Sequence, residues 1–172
     1  MADEQIILSE AQIAARVEAV AAQIAPGIDD ETVCVCLLTG GLWYAADLLR
    51  ALSRLGRNPI FDAIWLGSYG DARASAGKVT VRANLQREVT GRRVLLIDDV
   101  LDSGLSLSAA ASLVREAGAA TVISTVFAAK PWPSPRALLP DFVAWEAPAT
   151  FLVGYGMDVA GRYRGLPDIR SD

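Results

Sequence analysis

Along this 172-residue chain the apolar positions change period several times, and each change predicts an element. Ile13, Val17, Val20, Ala21 and Ile24 recur at the spacing of one helix face. Ser9 and Gln12 ahead of them read as a capping box that opens the helix, and Pro26-Gly27 stops it. An apolar run over 32–38 predicts a strand, followed by Gly40-Gly41 and a helix over 42 to about 55 that ends at Gly56. A strand over 59–66 leads into 67–77, where small and polar residues with glycine at three points predict a mobile loop, and 78–85 predicts a short strand returning from it. The run from Val94 to Ile97 is short, uncharged and β-branched in part, as expected of a strand covered on both faces of a parallel sheet. A turn then enters the helical pattern of Leu107, Ala110, Ala111, Leu113 and Val114. A strand over 120–129 closes on Lys130, and three prolines within 131–135 break any further ladder. Two strand-like pieces, 142–146 and 151–158, follow.

Strands alternating with helices over the first 130 residues predict an α/β fold, with a doubly wound, mainly parallel sheet flanked by helices. The length suits one domain, with a core over about 28–130 and a small C-terminal hood subdomain over about 131–169 that includes the N-terminal segment. The composition is that of a globular protein, and a net charge of -4 gives no electrostatic footprint for nucleic acid, so no nucleic-acid partner is expected. No apolar run approaches the roughly 18 to 20 residues that span a bilayer, and the acidic N-terminus is not a secretory signal; the expectation is a cytoplasmic protein with no membrane partner. Cys34 and Cys36 lie two apart in a strand pattern, on one face, as buried free thiols. The chain has no histidine, which excludes a Ser-His-Asp triad, a histidine base and, with only two cysteines, a structural zinc site. Acid–base chemistry must fall to a carboxylate, lysine or tyrosine.

The chemistry concentrates between 94 and 107. Asp98 and Asp99 stand at the C-terminal edge of a buried strand, where open α/β sheets bind ligands. Asp102, Ser103, Gly104, Leu105 and Ser106 then form a turn ahead of a helix, which aims backbone N–H groups and hydroxyls at an anion, with the helix dipole adding to the attraction. Adjacent aspartates would repel a phosphate unless they meet ribose hydroxyls or a divalent cation such as Mg²⁺, which favours hard oxygen ligands. A strand-turn-helix corner needs only one or two such residues as caps, not all five polar groups.

This segment resembles the signature of type I phosphoribosyltransferases, and the resemblance extends over about 33–169. It implies that Asp98, Asp99 and residues 102–106 hold the ribose and 5-phosphate of phosphoribosyl pyrophosphate (PRPP), with Asp102 as the catalytic proton carrier for purine N7. Thr39, Gly40 and Gly41, which alone would read as a turn, resemble the pyrophosphate-binding segment of the hypoxanthine-guanine phosphoribosyltransferases, where a cis non-proline peptide falls at the place of Leu38 to Thr39. Many members carry a basic residue where this chain has Thr39. Ser68 and Tyr69 are similar to the Ser-Tyr pair of the family's flexible loop; without that likeness they are a solvated hairpin tip.

Lys130, costly to bury unpaired, offers three donors and no acceptor, so it suits a purine 6-oxo group and not a 6-amino group. In the resembling branch its counterpart does this, Phe151 matches the aromatic that stacks on the base, and the backbone around Leu152 reads the purine edge. Phe151 taken alone reads more often as plain core. The string from Val153 to Pro167 is similar to the C-terminal motif of the same branch, in which Asp158 helps coordinate a second magnesium, beside the one met by Asp98 and Asp99, and Arg164 meets pyrophosphate. Arg164 alone would be a surface ion pair. The resemblance implies transfer from PRPP to hypoxanthine or guanine in purine salvage, a Mg²⁺ cofactor, and a homodimer or homotetramer. A xanthine-preferring enzyme, or a regulatory homologue that senses PRPP and binds RNA or DNA, are the alternatives.

Overall fold

The computed structural model describes residues 5–68 and 79–171. Its elements are β1 (Gln5–Leu8), α1 (Glu10–Ile24), β2 (Val33–Leu38), α2 (Leu42–Arg54), β3 (Ile60–Ser68), β4 (Val79–Ala83), β5 (Arg93–Leu101), α3 (Leu105–Glu116), β6 (Thr121–Ala129), β7 (Phe142–Glu146), β8 (Leu152–Val153) and β9 (Ile169–Ser171). A six-stranded sheet has the order β4-β3-β2-β5-β6-β7, parallel throughout except for β4. The expected α/β, mainly parallel architecture is therefore present.

Alternation along the central strands divides the apolar core. Cys34, Cys36, Leu95 and Ile97 face α1 and α2, whereas Val33, Val35, Leu37, Val94 and Leu96 face α3. Helices thus cover both faces, which explains why these strands read as continuous apolar runs. The capping box of α1 forms as its sequence dictates, with the Gln12 backbone N–H donating to Ser9 Oγ and the Ser9 backbone N–H to Gln12 Oε1.

Four expectations change. The signature strand does not stop at Ile97: β5 continues to pair with β6 through Leu101 and Ala129, so Asp98 and Asp99 lie within the strand. The following helix begins at Leu105 rather than Leu107. β3 extends through Ser68, so Ser68 belongs to a strand paired with Val79, while Tyr69 lies outside the described residues. In the tail, 151–158 is not one strand, because Gly154 and Gly156 at φ 96° and Tyr155 at φ 48° turn the backbone after Val153. The segments at the two ends, β1 and β9, pair with each other and with β8 in a small antiparallel sheet that apolar periodicity did not disclose. No helix among the described residues is long and apolar enough to cross a membrane.

Candidate active site

The C-terminal ends of β2, β3 and β5 open onto a cavity of about 640 Å³. Asp98, Asp99, residues 102–106, Thr39, Gly40, Asp158 and Arg164 all line it. Because Ile97 points toward α2, alternation turns Asp98 toward the α3 side and Asp99 toward α2. Each carboxylate accepts from the next backbone amide, Asp98 Oδ1 from Asp99 N at 3.0 Å and Asp99 Oδ1 from Val100 N at 2.9 Å. Burial, and then the Asp99 charge beside it, push the Asp98 carboxyl well above the ordinary carboxylate range. Burial also raises Asp99, with the Arg164 charge among the influences that oppose the rise. Two carboxylates crowded this way favour a ligand that brings positive charge or hydroxyl donors. Among the described residues, no three carboxylates or thiols converge closely enough to hold a metal ion by themselves.

The turn from β5 to α3 is built around Gly104. Gly104 stands at the N-cap of α3 with φ 76° and makes no side-chain cap, while the Leu105 N–H donates to Ser103 Oγ at 3.4 Å. A Cβ at Gly104 would lie 2.6 Å from the Leu138 carbonyl, so both the dihedral and the space require glycine. The segment after the prolines supports the turn from outside: Ala137 N donates to the Ser103 carbonyl at 3.0 Å, and Arg136 Nε to the Asp102 carbonyl at 2.8 Å. The Asp102 side chain is exposed.

Across the cavity, the Leu38-Thr39 peptide is cis, as the family likeness implied. Gly40 lies so close to the acidic pair that a Cβ there would sit 1.8 Å from Asp99 Oδ2. Gly41 differs from expectation, for its N–H is donated to the Leu37 carbonyl at 3.1 Å and it does not line the cavity. Its smallness serves packing instead, since a Cβ would lie 2.7 Å from that carbonyl.

Lys130 and Phe151 stand beside this cavity rather than among its lining residues. Lys130 N donates to the Leu101 carbonyl at 3.2 Å, which fixes the end of β6 against the end of β5. Its Nζ lies 5.8 Å from the centroid of the Phe151 ring, and that ring is 51% exposed, which removes the core reading of Phe151. Leu152 is buried and its backbone belongs to the small sheet, opposite Ser171. Arg164 is not a bare surface ion pair: it is three-quarters buried, meets Asp158 Oδ1 at 2.6 Å through Nη2 and donates to the Gly156 carbonyl through Nη1.

Three residues of this region had no signal in the sequence. Trp65 and Arg82 line the cavity from β3 and β4, and Arg136 ties Asp102 to Lys130 by donating to the backbone carbonyl of each. Their positions depend on a strand irregularity and a proline-rich turn, which periodicity does not resolve.

Comparison with known proteins agrees with this geometry. The family model for the phosphoribosyl transferase domain matches residues 5–159. The hypoxanthine-guanine phosphoribosyltransferase of Bacillus subtilis is 34% identical over 96% of this chain and 91% of its own length. The hypoxanthine phosphoribosyltransferase of Escherichia coli is 29% identical over 96% of this chain and 93% of its own length. Among solved structures, the hypoxanthine phosphoribosyl transferase of Trypanosoma cruzi superposes with a TM-score of 0.89 at 28% identity, over 98% of this chain and 90% of that one.

Proposed function

Since the chain belongs to the phosphoribosyl transferase domain family, we propose that it acts as a hypoxanthine or hypoxanthine-guanine phosphoribosyltransferase, moving the phosphoribosyl group of PRPP to N9 of a 6-oxopurine and releasing pyrophosphate. The observation that carries this reading is the joining of two recognition sites at one sheet edge. Lys130, over the exposed ring of Phe151, is hydrogen-bonded through its backbone to the end of the strand that bears Asp98 and Asp99. A purine held by the first pair faces a ribose and phosphate held by the second.

The roles follow from the chemistry of each group. Ser103, Ser106 and the N–H groups of Gly104 and Leu105 meet the 5-phosphate at the start of α3. Asp98 and Asp99 accept from the ribose 2- and 3-hydroxyls. Phe151 stacks on the base, Lys130 donates to its 6-oxo oxygen, and the backbone at Leu152 meets the purine edge. Asp102, exposed at the mouth of the loop, takes the proton from N7 as the glycosidic bond forms. Gly40 and Arg164 approach the departing pyrophosphate. Ser68 stands at the end of β3.

The donor set fits Mg²⁺: two crowded carboxylates with raised proton affinity supply hard oxygens, and Mg²⁺ takes few protein ligands beside substrate oxygens and water. Asp98 and Asp99 would hold one such ion and Asp158 would help hold a second, and the ions would supply positive charge to neutralise the leaving group. The reading places one domain in a cytoplasmic salvage role, as a homo-oligomer.

The test is magnesium-dependent pyrophosphate release from PRPP with hypoxanthine, guanine, xanthine and adenine supplied separately. Turnover with a 6-oxopurine and little with adenine is the expected result. PRPP binding without turnover on any base would replace the enzyme by a sensor.

A further inference from the structure

The cavity that holds the candidate site carries more negative than positive charge. Asp98, Asp99, Asp102 and Asp158 line it, against Arg82 and Arg164 as the cations among the described residues. Arg164 is committed to Asp158 and to the Gly156 carbonyl. Arg82 pairs with no carboxylate among the described residues and lies instead over the Trp65 ring, its Cζ 5.6 Å from the centroid.

Three local features put it there. The ladder between β3 and β4 passes from Trp65 opposite Ala83 to Leu66 opposite Val81, which leaves Arg82 as the extra residue of a bulge. A bulge takes one residue out of strict alternation and re-aims its side chain. Gly67 then leaves the passage clear, because a Cβ on it would lie 2.5 Å from Arg82 Nε. Trp65, finally, presents a flat face to the guanidinium, a contact that leaves the in-plane N–H donors free for an oxyanion. Trp65 pairs with Leu38 in the neighbouring strand, so the stack stands next to Thr39 and Gly40 on the same wall. Thr39 contributes only a neutral hydroxyl there.

We propose that Arg82, seated on Trp65 and placed by the bulge, is a second cation beside Arg164 that binds the pyrophosphate group of PRPP on the Thr39 and Gly40 wall and holds it as it leaves. This rests on the transferase reading of the cavity. Arg82 does no proton transfer; it contributes charge-assisted hydrogen bonds to an anion that Asp98, Asp99 and Asp158 would otherwise repel.

The experiment compares wild type, Arg82→Ala, Arg82→Lys and Gly67→Ala in both directions of the reaction. Loss of a charge-assisted hydrogen bond predicts that Arg82→Ala raises KM for PRPP and, in reverse, KM for pyrophosphate by about tenfold or more, with KM for hypoxanthine and IMP within about twofold. Arg82→Lys should recover part of the loss, and Gly67→Ala, which keeps the charge but displaces the side chain, should move the same two constants in the same direction. Unchanged KM for PRPP and pyrophosphate in Arg82→Ala, or an equal rise for all four substrates, overturns the proposal while leaving the transferase reading intact. If wild type turns over no base, titration calorimetry with magnesium pyrophosphate decides. Binding that weakens about tenfold in Arg82→Ala keeps Arg82 and removes only the transfer reading. Equal binding by both proteins, or none by wild type, overturns Arg82.

Discussion

The guanidinium of Arg136 donates from Nε to the backbone carbonyl of Asp102 at 2.8 Å. Its Nη2 donates to the carbonyl of Lys130, so one side chain ties the phosphate turn to the end of the purine-side strand. Arg136 touches no reacting atom in this arrangement and is a positioning residue. Its replacement by alanine is expected to loosen both segments together and to raise KM for PRPP and for hypoxanthine several-fold each. Hydrogen bonds from a charged donor that is partly exposed stabilise by about 1 to 2 kcal/mol, so Tm should fall by only a few degrees. Lysine, with one donor direction in place of a fork, should rescue one constant better than the other. Steady-state kinetics with both substrates varied checks this, and a fall in kcat with both KM values unchanged contradicts it.

Asp102 differs from the two aspartates before it, being exposed on the turn, whereas they are partly buried within β5. Asp102→Asn keeps its shape and removes its basicity. A positioned proton-transfer group contributes about 10² to 10⁴ in rate, so kcat should drop by that range with KM for PRPP and Tm close to wild type. An unchanged kcat would take Asp102 out of the mechanism.

Much of this site was legible because the chemistry lies on contiguous residues. Asp98 to Ser106 form a single strand-turn-helix step, and their polarity interrupts an apolar pattern that would otherwise continue. Phe151 was ambiguous in sequence, since an aromatic between short strand pieces is more often buried, and its exposure beside Lys130 resolves it. The small sheet was not legible because β1 and β9 are short, and pair across almost the full length of the chain. Arg82 was hidden for a related reason: it is the extra residue at the slip in register between Trp65 and Leu66, and the period of the sequence gives no sign of that slip. Gly41 shows the opposite error, a glycine beside a binding glycine whose N–H is consumed by the Leu37 carbonyl.

Gly40 and Asp99 are in closer contact than any larger residue would allow. A methyl group on Gly40 would fall 1.8 Å from Asp99 Oδ2, so Gly40→Ala must move either the carboxylate or the 38–40 backbone. Overpacking of this kind costs about 1 to 3 kcal/mol, which for a domain of this size lowers Tm by several degrees. On the proposed reading, in which Asp99 meets the ribose hydroxyls, the displaced carboxylate should also weaken PRPP binding. Thermal melts with and without magnesium and PRPP check both effects: the variant should melt lower and gain less from the ligands than wild type. An equal ligand-induced rise in Tm would show that Asp99 has kept its place.

Cys34 and Cys36 are buried in the core beneath α1 and α2, and burial raises both thiols to about 12. The thiolate is the reactive form, so neither should react at pH 8 in the folded protein. Alkylation followed by mass spectrometry should find two unmodified thiols in the native protein and two modified ones after denaturation. Modification of either in the native state would mean that the core opens on the timescale of the reaction.

On the proposed reading, Lys130 decides which purines the site accepts. Its ammonium can only donate, so a 6-oxo oxygen satisfies it and a 6-amino group leaves it without a partner. A site built around a hydrogen bond rejects the analogue that lacks it by about 10⁴-fold, which sets the expected ratio of kcat/KM for hypoxanthine over adenine. Lys130→Ala should collapse that ratio, lowering kcat/KM for hypoxanthine far more than it raises KM for PRPP, because the side chain reaches the ring of Phe151 and not the phosphate turn. The backbone tie between Lys130 and Leu101 survives the substitution, so the acidic pair should keep its place. Equal losses for both substrates would mean instead that the end of β6 has come away from β5.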